Sequence, residues 1–542
     1  MADQVQDWNQ KPEFFEFTRG RFVSDEAAQV AYRRVHFDMN KLAKTATLSM
    51  GAKRCIDVEK CPDGLYNKAF IFTLEDGRQI VGKVPNPIAG LPHFTTASEV
   101  ATLDFLRNVL HLPVPQVYAW SSKSDSTPVG AEYILMEKIQ GVPLREKWQH
   151  LVPGDKVKLF FQIDRYQQKW TSTKFPKIGS LYYRRDLLSP PLDDYLFQNN
   201  QMEPISMSEF AVGPAVGREW VEHGRQNLVC DRGPWSSTLD YRQAVGSREI
   251  QALDQIKSFP KLDVMICGPK LYVPTKDKKL SALQASEALL PFILPQQPEH
   301  QFGYLWHNDL HDENIFVDPQ NPTTITGIID WQSTQILPLY DHILEPSFLD
   351  YSGPELDDAL TRPGLPPNVN SLPMEERKEI TRSYIEQSLM VAWCRLIKNN
   401  NPLQYSTLQF GNTTPGNLLS LSRRLFSLGE AHFMSLLLDL KNEWRTNPAV
   451  NNPTGLDFPV LISESDAVTI KEDEWLADEG IRMMSYTARE FGDLWPNKGL
   501  IQHDQYERAK SELRDAQDNL SSYLQLSSSE REELNRYWPF DS

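Results

Sequence analysis

Residues 305–318 read LWHNDLHDENIFVD, and residues 327–332 read GIIDWQ. The first stretch holds Asp309 and Asn314 in the spacing HxDxxxxN, and the second ends an apolar run with Asp330. This spacing is typical of a loop where one aspartate faces a hydroxyl group and the other two side chains hold magnesium. The two stretches therefore predict a phosphoryl-transfer site on a loop between short strands.

Phosphoryl transfer needs two kinds of oxygen group, and these stretches supply both. A carboxylate must orient and deprotonate the accepting hydroxyl, and Asp309 is the predicted catalytic residue. Oxygen ligands must hold Mg²⁺ against the phosphates of ATP, and Asn314 and Asp330 are the predicted metal ligands.

Two other interpretations of these side chains stay open from the sequence. Asp and Asn are favoured at turns, so Asp309, Asn314 and Asp330 can simply cap turns. Imidazole and carboxylate are ordinary zinc ligands, so His307, Asp309 and His311 can form a transition-metal site. The apolar strands downstream and the position of Asp330 favour phosphoryl transfer.

A lysine and a glutamate upstream match the further demands of a kinase. The phosphates need a strand lysine, and a helical glutamate must hold that lysine. Lys83 lies in the strand-like run QIVGKV, and Glu99 lies near the start of a helix predicted over 95–109. Taken singly, such charges are ordinarily on the surface. Their order along the chain predicts a Lys83–Glu99 salt bridge that faces the phosphate site.

Two other segments are predicted to contact the nucleotide. The loop DGLYNKAF can cover the phosphates, where Gly64 allows close backbone approach and Asn67 is a further contact. The run EYILMEKI is typical of an edge strand entering a hinge, where the backbone of Glu137 and Ile139 can bind adenine. The plain alternatives are a simple turn for the loop and an ordinary buried strand for the run.

The composition limits the classes of function. The chain has 542 residues, of which 40% are hydrophobic and 24% charged, enough for two associated lobes with appendages. A formal net charge of −16 argues against a nucleic-acid partner and against non-specific binding to anionic membranes. Five cysteines without a CxxC pair argue against a disulfide framework and indicate a reducing compartment.

The N-terminal residues MADQVQDWNQKPEFFEF lack the apolar core of a signal peptide and the arginine-rich character of a transit peptide. No stretch approaches the ~18 uninterrupted apolar residues of a membrane span. We therefore expect a cytoplasmic protein without a membrane span.

The order of the predicted elements divides the chain into four parts. Residues 1–50 form an N-terminal helical extension, and 51–138 form a nucleotide-binding lobe with a five-stranded sheet and one helix. Residues 139–353 carry the catalytic loop and an inserted segment at about 182–298, which is too long for a structureless loop. Residues 354–542 are mostly helical.

Several further motifs occur in fixed order with these segments: Tyr66-Asn67, PHFTTASEVAT from Pro92, VGAEY from Val129 and DRGPW from Asp231. Together they make the sequence resemble the aminoglycoside-phosphotransferase-like kinases, and among these the fungal group that includes the altered-inheritance-of-mitochondria phosphotransferase-like proteins. The resemblance runs from about residue 14 to 353. It implies a bilobed, protein-kinase-like α+β fold, ATP with Mg²⁺, and a small molecule with a hydroxyl group as acceptor. For some relatives it also implies a mitochondrial location.

The sequence departs from the family pattern at two places. The catalytic loop commonly reads HPDLHPGN, whereas this chain has HNDLHDEN, with the acidic residues Asp312 and Glu313. Leu65 stands where the nucleotide loop usually has a second glycine. The leading hypothesis is an ATP-dependent phosphotransferase acting on a small-molecule hydroxyl. The alternative is a nucleotide-binding pseudokinase or scaffold that binds a protein partner.

Overall fold

The computed structural model describes residues 6–190, 193–349, 351–453 and 455–541. A smaller N-terminal lobe built on a five-stranded sheet is joined to a larger, mainly helical lobe. This is the bilobed α+β arrangement of protein-kinase-like folds, and it confirms the predicted fold class.

The N-terminal extension is made of short elements before the sheet. They are β1 (Arg21–Phe22), α1 (Glu26–Ala31) and α2 (Met39–Ser49). The Asp38 carboxylate accepts a hydrogen bond from the Lys41 N–H at 3.0 Å and so fixes the start of α2.

The sheet of the N-terminal lobe has five strands, as the sequence predicts, and it is antiparallel in the order β2-β3-β4-β6-β5. One helix lies between its third and fourth strands along the chain. The elements are β2 (Cys55–Lys60), β3 (Asn67–Leu74), β4 (Gln79–Pro85), α3 (Phe94–Asp104), β5 (Val117–Ser121) and β6 (Tyr133–Glu137).

The two faces of this sheet have different partners. Phe70, Phe72, Ile80 and Val84 pack on the N-terminal extension in one buried cluster. Successive strand residues point to opposite faces, so Lys83 points away from this cluster. The position of Lys83 on the α3 side of the sheet follows from this alternation.

Helix α3 departs from the predicted span of 95–109 at both ends. It begins at Phe94, and the residue before it is His93, at a φ of 67° and without a side-chain cap. The α-helical hydrogen bonding ends at Asp104, and Phe105–Val109 form a π-helical turn. The threonines and serine in the first turn of α3 are buried and none of them is the cap.

The C-terminal lobe begins after the residues that link it to β6. Its elements through the catalytic segment and the strand that follows it are β7 (Val142–Pro143), α4 (Arg145–Trp148), α5 (Pro153–Thr171), β8 (Ser180–Tyr183), β9 (Phe197–Gln198), β10 (Pro204–Ile205), β11 (Phe210–Gly213), α6 (Thr238–Gln255), α7 (Lys276–Ile293), β12 (Tyr304–Leu305), β13 (Ile315–Val317), β14 (Ile325–Ile328) and β15 (Ile336–Leu337). The predicted strand pair is present, because β13 pairs with both β14 and β7.

The indoles of Trp170, Trp306 and Trp331 form the core beneath the catalytic segment. Trp170 contacts the other two rings edge-on at centroid distances of 4.9 and 5.7 Å, and all three are fully buried. Since Trp306 and Trp331 each adjoin a catalytic-segment residue, this packing fixes both stretches against α5.

The C-terminal region is helical, as predicted, apart from one short strand. Its elements are α8 (Met374–Asn400), α9 (Pro402–Gly411), α10 (Thr414–Ser422), α11 (Glu430–Glu443), α12 (Glu464–Phe491), β16 (Leu500–Ile501), α13 (Tyr506–Tyr523) and α14 (Ser528–Tyr537). α8 packs on α5, α10 and α11 pack on α7, and β16 pairs with β1. The C-terminal region thus packs on the catalytic lobe, the insertion and the N-terminal extension. In the described part of the chain, no helix is both long and apolar enough to cross a membrane.

Candidate active site

Lys83 connects the two lobes at the centre of the candidate site. Its Nζ atom donates to Glu99 Oε1 at 2.7 Å and to Asp330 Oδ1 at 2.9 Å. β4 carries the lysine, the middle of α3 carries the glutamate, and the segment after β14 carries the aspartate. The predicted contact between Lys83 and Glu99 is confirmed, and the structure adds Asp330 to it.

The backbone after β14 turns sharply so that Asp330 can reach Lys83. Asp330 has a φ of 60°, in the left-handed region that few residues other than glycine adopt. Asp tolerates this region better than most residues. The conformation is held in place by Ile329, whose N–H donates to the Asn314 carbonyl at 2.9 Å.

Burial and charge act in opposite directions on the pKa values of this cluster. Burial alone would lower the pKa of Lys83, but the carboxylates of Asp330 and Glu99 outweigh it and raise that pKa. Burial would raise the pKa of Asp330, but Lys83 outweighs it, with help from Arg218 and His307, and lowers that pKa. At Glu99, burial and the nearby Asp330 outweigh Lys83 and raise the pKa of the carboxyl group. The firmest charge pair of the cluster is therefore the Lys83 ammonium with the Asp330 carboxylate.

Asp309 lies on the loop between β12 and β13 with an exposed carboxylate, whose side chain is 72% accessible to solvent. The backbone beneath it is fixed: the Asp309 carbonyl accepts from the His311 N–H at 2.9 Å and from the Asn314 Nδ2 at 3.0 Å. The predicted base is thus presented to solvent by a loop that is itself well held.

His307 is a positioning residue that the sequence placed among possible metal ligands. Its Nε2 bonds the Ile329 carbonyl at 2.9 Å, and its Nδ1 faces the Asp309 N–H at 3.3 Å. A carbonyl only accepts, so Nε2 carries the proton and Nδ1 accepts. Burial lowers the pKa of His307, in agreement with a neutral ring.

The transition-metal interpretation of His307, Asp309 and His311 is therefore wrong. Both ring nitrogens of His307 already have protein partners. Among the residues that the structure describes, no group of three or more His, Cys, Asp or Glu side chains is arranged to hold a metal ion.

The donor set at Asn314 and Asp330 suits a hard cation such as Mg²⁺. Asn314 uses its Nδ2 group on the Asp309 carbonyl, so its Oδ1 is free of protein donors in the described structure. Asp330 has one oxygen on Lys83 and a second without a protein donor. Mg²⁺ prefers such oxygen ligands and binds through one or two protein groups together with phosphates.

The predicted nucleotide loop lies against the Asp330 segment. The side-chain amides of Asn67 and Gln332 pair in both directions, at 2.9 and 3.0 Å. Asp63, just before Gly64, is buried and forms ion pairs with lysines of β2 and β3. A Cβ added at Gly64 would lie 3.4 Å from the Asn67 carbonyl oxygen, which is an ordinary van der Waals contact.

The two predicted adenine contacts are Glu137, the last residue of β6, and Ile139 in the hinge that follows it. The Glu137 N–H donates to the Gln116 carbonyl at 2.8 Å, and its carboxylate accepts from Arg107 at 2.8 Å. Glu137 is therefore anchored by its amide and side chain, while the Ile139 N–H has no protein acceptor in the described part of the chain. The Ile139 side chain lies over Gly327, where an added Cβ would meet it at 2.6 Å.

Sequence reasoning missed Arg218, which the insertion brings to the same cleft. Its guanidinium lies 3.4 Å from the centre of the Tyr66 ring, and the Tyr66 hydroxyl donates to Glu222 at 2.9 Å. The motif Tyr66-Asn67 marked one side of this contact. No sequence pattern in the insertion indicates Arg218, because its contact with Tyr66 arises only from tertiary folding.

Comparison with protein families places the catalytic segment in a known group. The model of the phosphotransferase enzyme family APH matches residues 269–342, which include both stretches that carry the predicted chemistry. Two solved structures match this chain over nearly their whole length. They are a putative fructosamine-3-kinase from Thermobifida fusca, at 15% identity, 72% of this chain, 99% of that chain and a TM-score of 0.30, and the streptomycin-ATP complex of APH(2")-IIa, at 14%, 74%, 99% and 0.33.

Among curated relatives, a subtelomeric hrmA-associated cluster protein of Aspergillus fumigatus is 32% identical over 356 residues, covering 60% of this chain and 67% of the relative. The altered inheritance of mitochondria protein 9 of Yarrowia lipolytica is 22% identical over 418 residues, covering 72% of this chain and 69% of the relative. From the first of these relatives and the family model together, the chain belongs to the APH phosphotransferase family.

Proposed function

We propose that the protein is an ATP- and Mg²⁺-dependent phosphotransferase that transfers the γ-phosphoryl group to a hydroxyl of a small molecule. The observation that carries this proposal is the position of Lys83, which bonds Glu99 and Asp330 at 2.7 and 2.9 Å. Phosphoryl transfer depends on positioning and charge, and a lysine held between these two carboxylates supplies both.

Each predicted residue has a role in this proposal. Lys83, kept in place by Glu99, would bind phosphate oxygens, and Asn314 with Asp330 would hold Mg²⁺. The bound metal ion would neutralise charge on the phosphates. Asp309 would take the proton from the acceptor hydroxyl, which its exposed position allows.

The rest of the nucleotide would lie between the hinge and the nucleotide loop. The Glu137 carbonyl and the free N–H of Ile139 offer an acceptor and a donor for the adenine edge. Gly64 and Asn67 lie in the loop that would cover the phosphates, and Asn67 already contacts the Asp330 segment through Gln332.

A cavity of about 850 Å³ supports a small-molecule acceptor. Asp312 of the catalytic loop lines it together with Trp148, Lys156 and Thr381, whereas Asp309 itself is not among the lining residues. Cavities of roughly 300–1,000 Å³ are typical of small-molecule sites. Thr381→Trp, which would fill this cavity from α8, is expected to raise the KM for the acceptor and leave the KM for ATP unchanged.

The proposal is tested by screening hydroxyl-containing metabolites for acceptor-dependent ADP formation with ATP and Mg²⁺. Asp309→Asn is the control, because it removes the base with little change in volume. ADP formation that requires an acceptor and is lost in this variant supports the proposal.

The pseudokinase alternative makes a different prediction in the same experiment. It requires that MgATP raises the melting temperature while no acceptor stimulates turnover.

For the location of the protein in the cell, relatives whose names include the word mitochondrial support a mitochondrial alternative to the cytoplasmic one. Imaging of the chain with a C-terminal fluorescent tag distinguishes the two locations.

A further inference from the structure

The insertion presents Arg218 to the cleft from a firmly held segment. Arg218 begins a short 3-10 turn, Arg218–Trp220, in the middle of the insertion. Glu219 accepts from Gln335 and from Arg423, both at 2.9 Å. Trp220 is fully buried and stacks on Trp235 at a centroid distance of 5.3 Å. The backbone that carries Arg218 is thus fixed by its next two residues.

The guanidinium itself is oriented by the nucleotide loop. It lies 3.4 Å from the centre of the Tyr66 ring, close enough for a strong stacking and cation–π contact. Tyr66 is fixed in turn, since its hydroxyl donates to Glu222 and its carbonyl accepts from the Asn86 N–H at 2.8 Å. A planar cation with one face covered keeps its edge available for hydrogen bonds.

No anionic side chain among the described residues uses that edge. Within the described part of the chain, Arg218 forms no ion pair and no side-chain hydrogen bond. The ring on which it stacks belongs to Tyr66, and the neighbouring Asn67 pairs its side-chain amide with Gln332, two residues after Asp330, at 2.9 and 3.0 Å. The guanidinium therefore lies on the side of the cleft that carries Asp330. An arginine held beside a phosphate site with its donors unused is arranged to bind an oxyanion, because its fork of N–H groups matches phosphate oxygens.

We infer that Arg218 binds the phosphate chain of the nucleotide, so that the insertion completes a site otherwise formed by the two lobes. This inference rests on the proposed function, since it needs ATP as ligand. Lys83 binds the phosphates from the sheet side, and Arg218 binds them from the insertion side beneath Tyr66. Closure of the nucleotide loop and phosphate binding are then linked, because Tyr66 belongs to that loop.

The test compares binding of MgATP and of adenosine by calorimetry in Arg218→Gln and wild type. Arg218→Gln is expected to weaken MgATP binding about tenfold or more, the loss of one charge-assisted hydrogen bond, and to leave adenosine binding unchanged. Arg218→Lys keeps the charge but loses the planar fork, so an intermediate loss is expected.

Arg185→Gln is the matched control. Arg185 is also an insertion arginine that stacks on a tyrosine, Tyr183, and that tyrosine bonds Asp104 at the far end of α3. This variant should bind MgATP as the wild type does.

Two results would overturn the inference: MgATP affinity unchanged in Arg218→Gln, or an equal loss of MgATP and adenosine affinity, which would indicate a structural role. If the wild-type chain binds both adenosine and MgATP and Arg218→Gln shows one of these two results, only the inference about Arg218 is rejected. A wild-type chain that binds no ATP rejects the proposed function together with it. Melting temperatures of all variants establish that each is folded.

Discussion

Glu99→Gln tests how the lysine of the candidate site is held. The Glu99 carboxylate is 3% exposed and bonds Lys83 Nζ at 2.7 Å, while Asp330 bonds the same atom at 2.9 Å. Removing one charge from a buried ion pair costs about 3–5 kcal/mol when the partner is left alone. Lys83 keeps Asp330 in this variant, so the cost should be smaller. The released lysine should also bind Asp330 more tightly and become less available to phosphate.

We expect Glu99→Gln to weaken MgATP binding by about 1–2 kcal/mol, or roughly tenfold in Kd, measured by calorimetry. Lys83→Met should cost more, about 2–3 kcal/mol, because it removes the phosphate contact itself. Glu99 acts only through Lys83 in this account. Adding Glu99→Gln to Lys83→Met should therefore cost nothing further, and the coupling energy should equal the cost of Glu99→Gln alone.

Glu132→Gln is the control for this cycle. Glu132 accepts from the His93 N–H at 2.7 Å at the start of α3 and also has the Thr96 side chain as a partner, and burial raises its pKa. Among the described residues it has no contact with Lys83. Its effect should add to that of Lys83→Met. If Glu99→Gln costs the same with and without Lys83, the two side chains act independently and the reasoning is refuted.

Three further predictions concern single residues. Asp309→Asn should lower kcat by about 10²–10⁴ while MgATP affinity stays within about twofold, and near-normal turnover would contradict the assignment of the base. Asp330→Ala should abolish the gain in ATP affinity that Mg²⁺ provides, and calorimetry showing an unchanged gain would contradict its role as a ligand. Burial would raise the pKa of Glu219, but Arg423 and Arg248 outweigh it and lower it to about 2. The resulting stability, about 3 kcal/mol, is present above the unfolded value of about 4.5 and is lost as pH falls toward 2. The melting temperature of wild type should therefore exceed that of Glu219→Gln at pH 6 by more than at pH 3.5, and a constant difference would contradict the ion pairing.

The part of the site that lies on regular elements was predictable from sequence. Lys83 lies on a strand next to a hairpin, and Glu99 lies in the following helix, so chain order alone places them together. The spacing of the catalytic stretches likewise predicted that Asn314 and Asp330 lie near each other. The strands between them pair, and the Ile329 N–H donates to the Asn314 carbonyl.

The rest depends on contacts that no local pattern records. Arg218 comes to Tyr66 because Glu219 binds Arg423, about two hundred residues away in the chain. The start of α3 depends on Glu132, which binds the His93 N–H across the lobe, so the hydroxyl side chains in the first turn are not needed as caps. Tertiary packing decides both features, and local propensity does not.

The oxygens of Asn314 and Asp330, with Lys83, are proposed to form a magnesium and phosphate site. A crystal structure with Mg²⁺ and a non-hydrolysable ATP analogue tests it most directly. We predict a metal ion bound by Asn314 Oδ1 and the Asp330 carboxylate, with Lys83 Nζ on a phosphate oxygen and Asp309 facing the terminal phosphate. A nucleotide bound elsewhere, or one bound in the cleft with its metal ion away from Asn314 and Asp330, would contradict it.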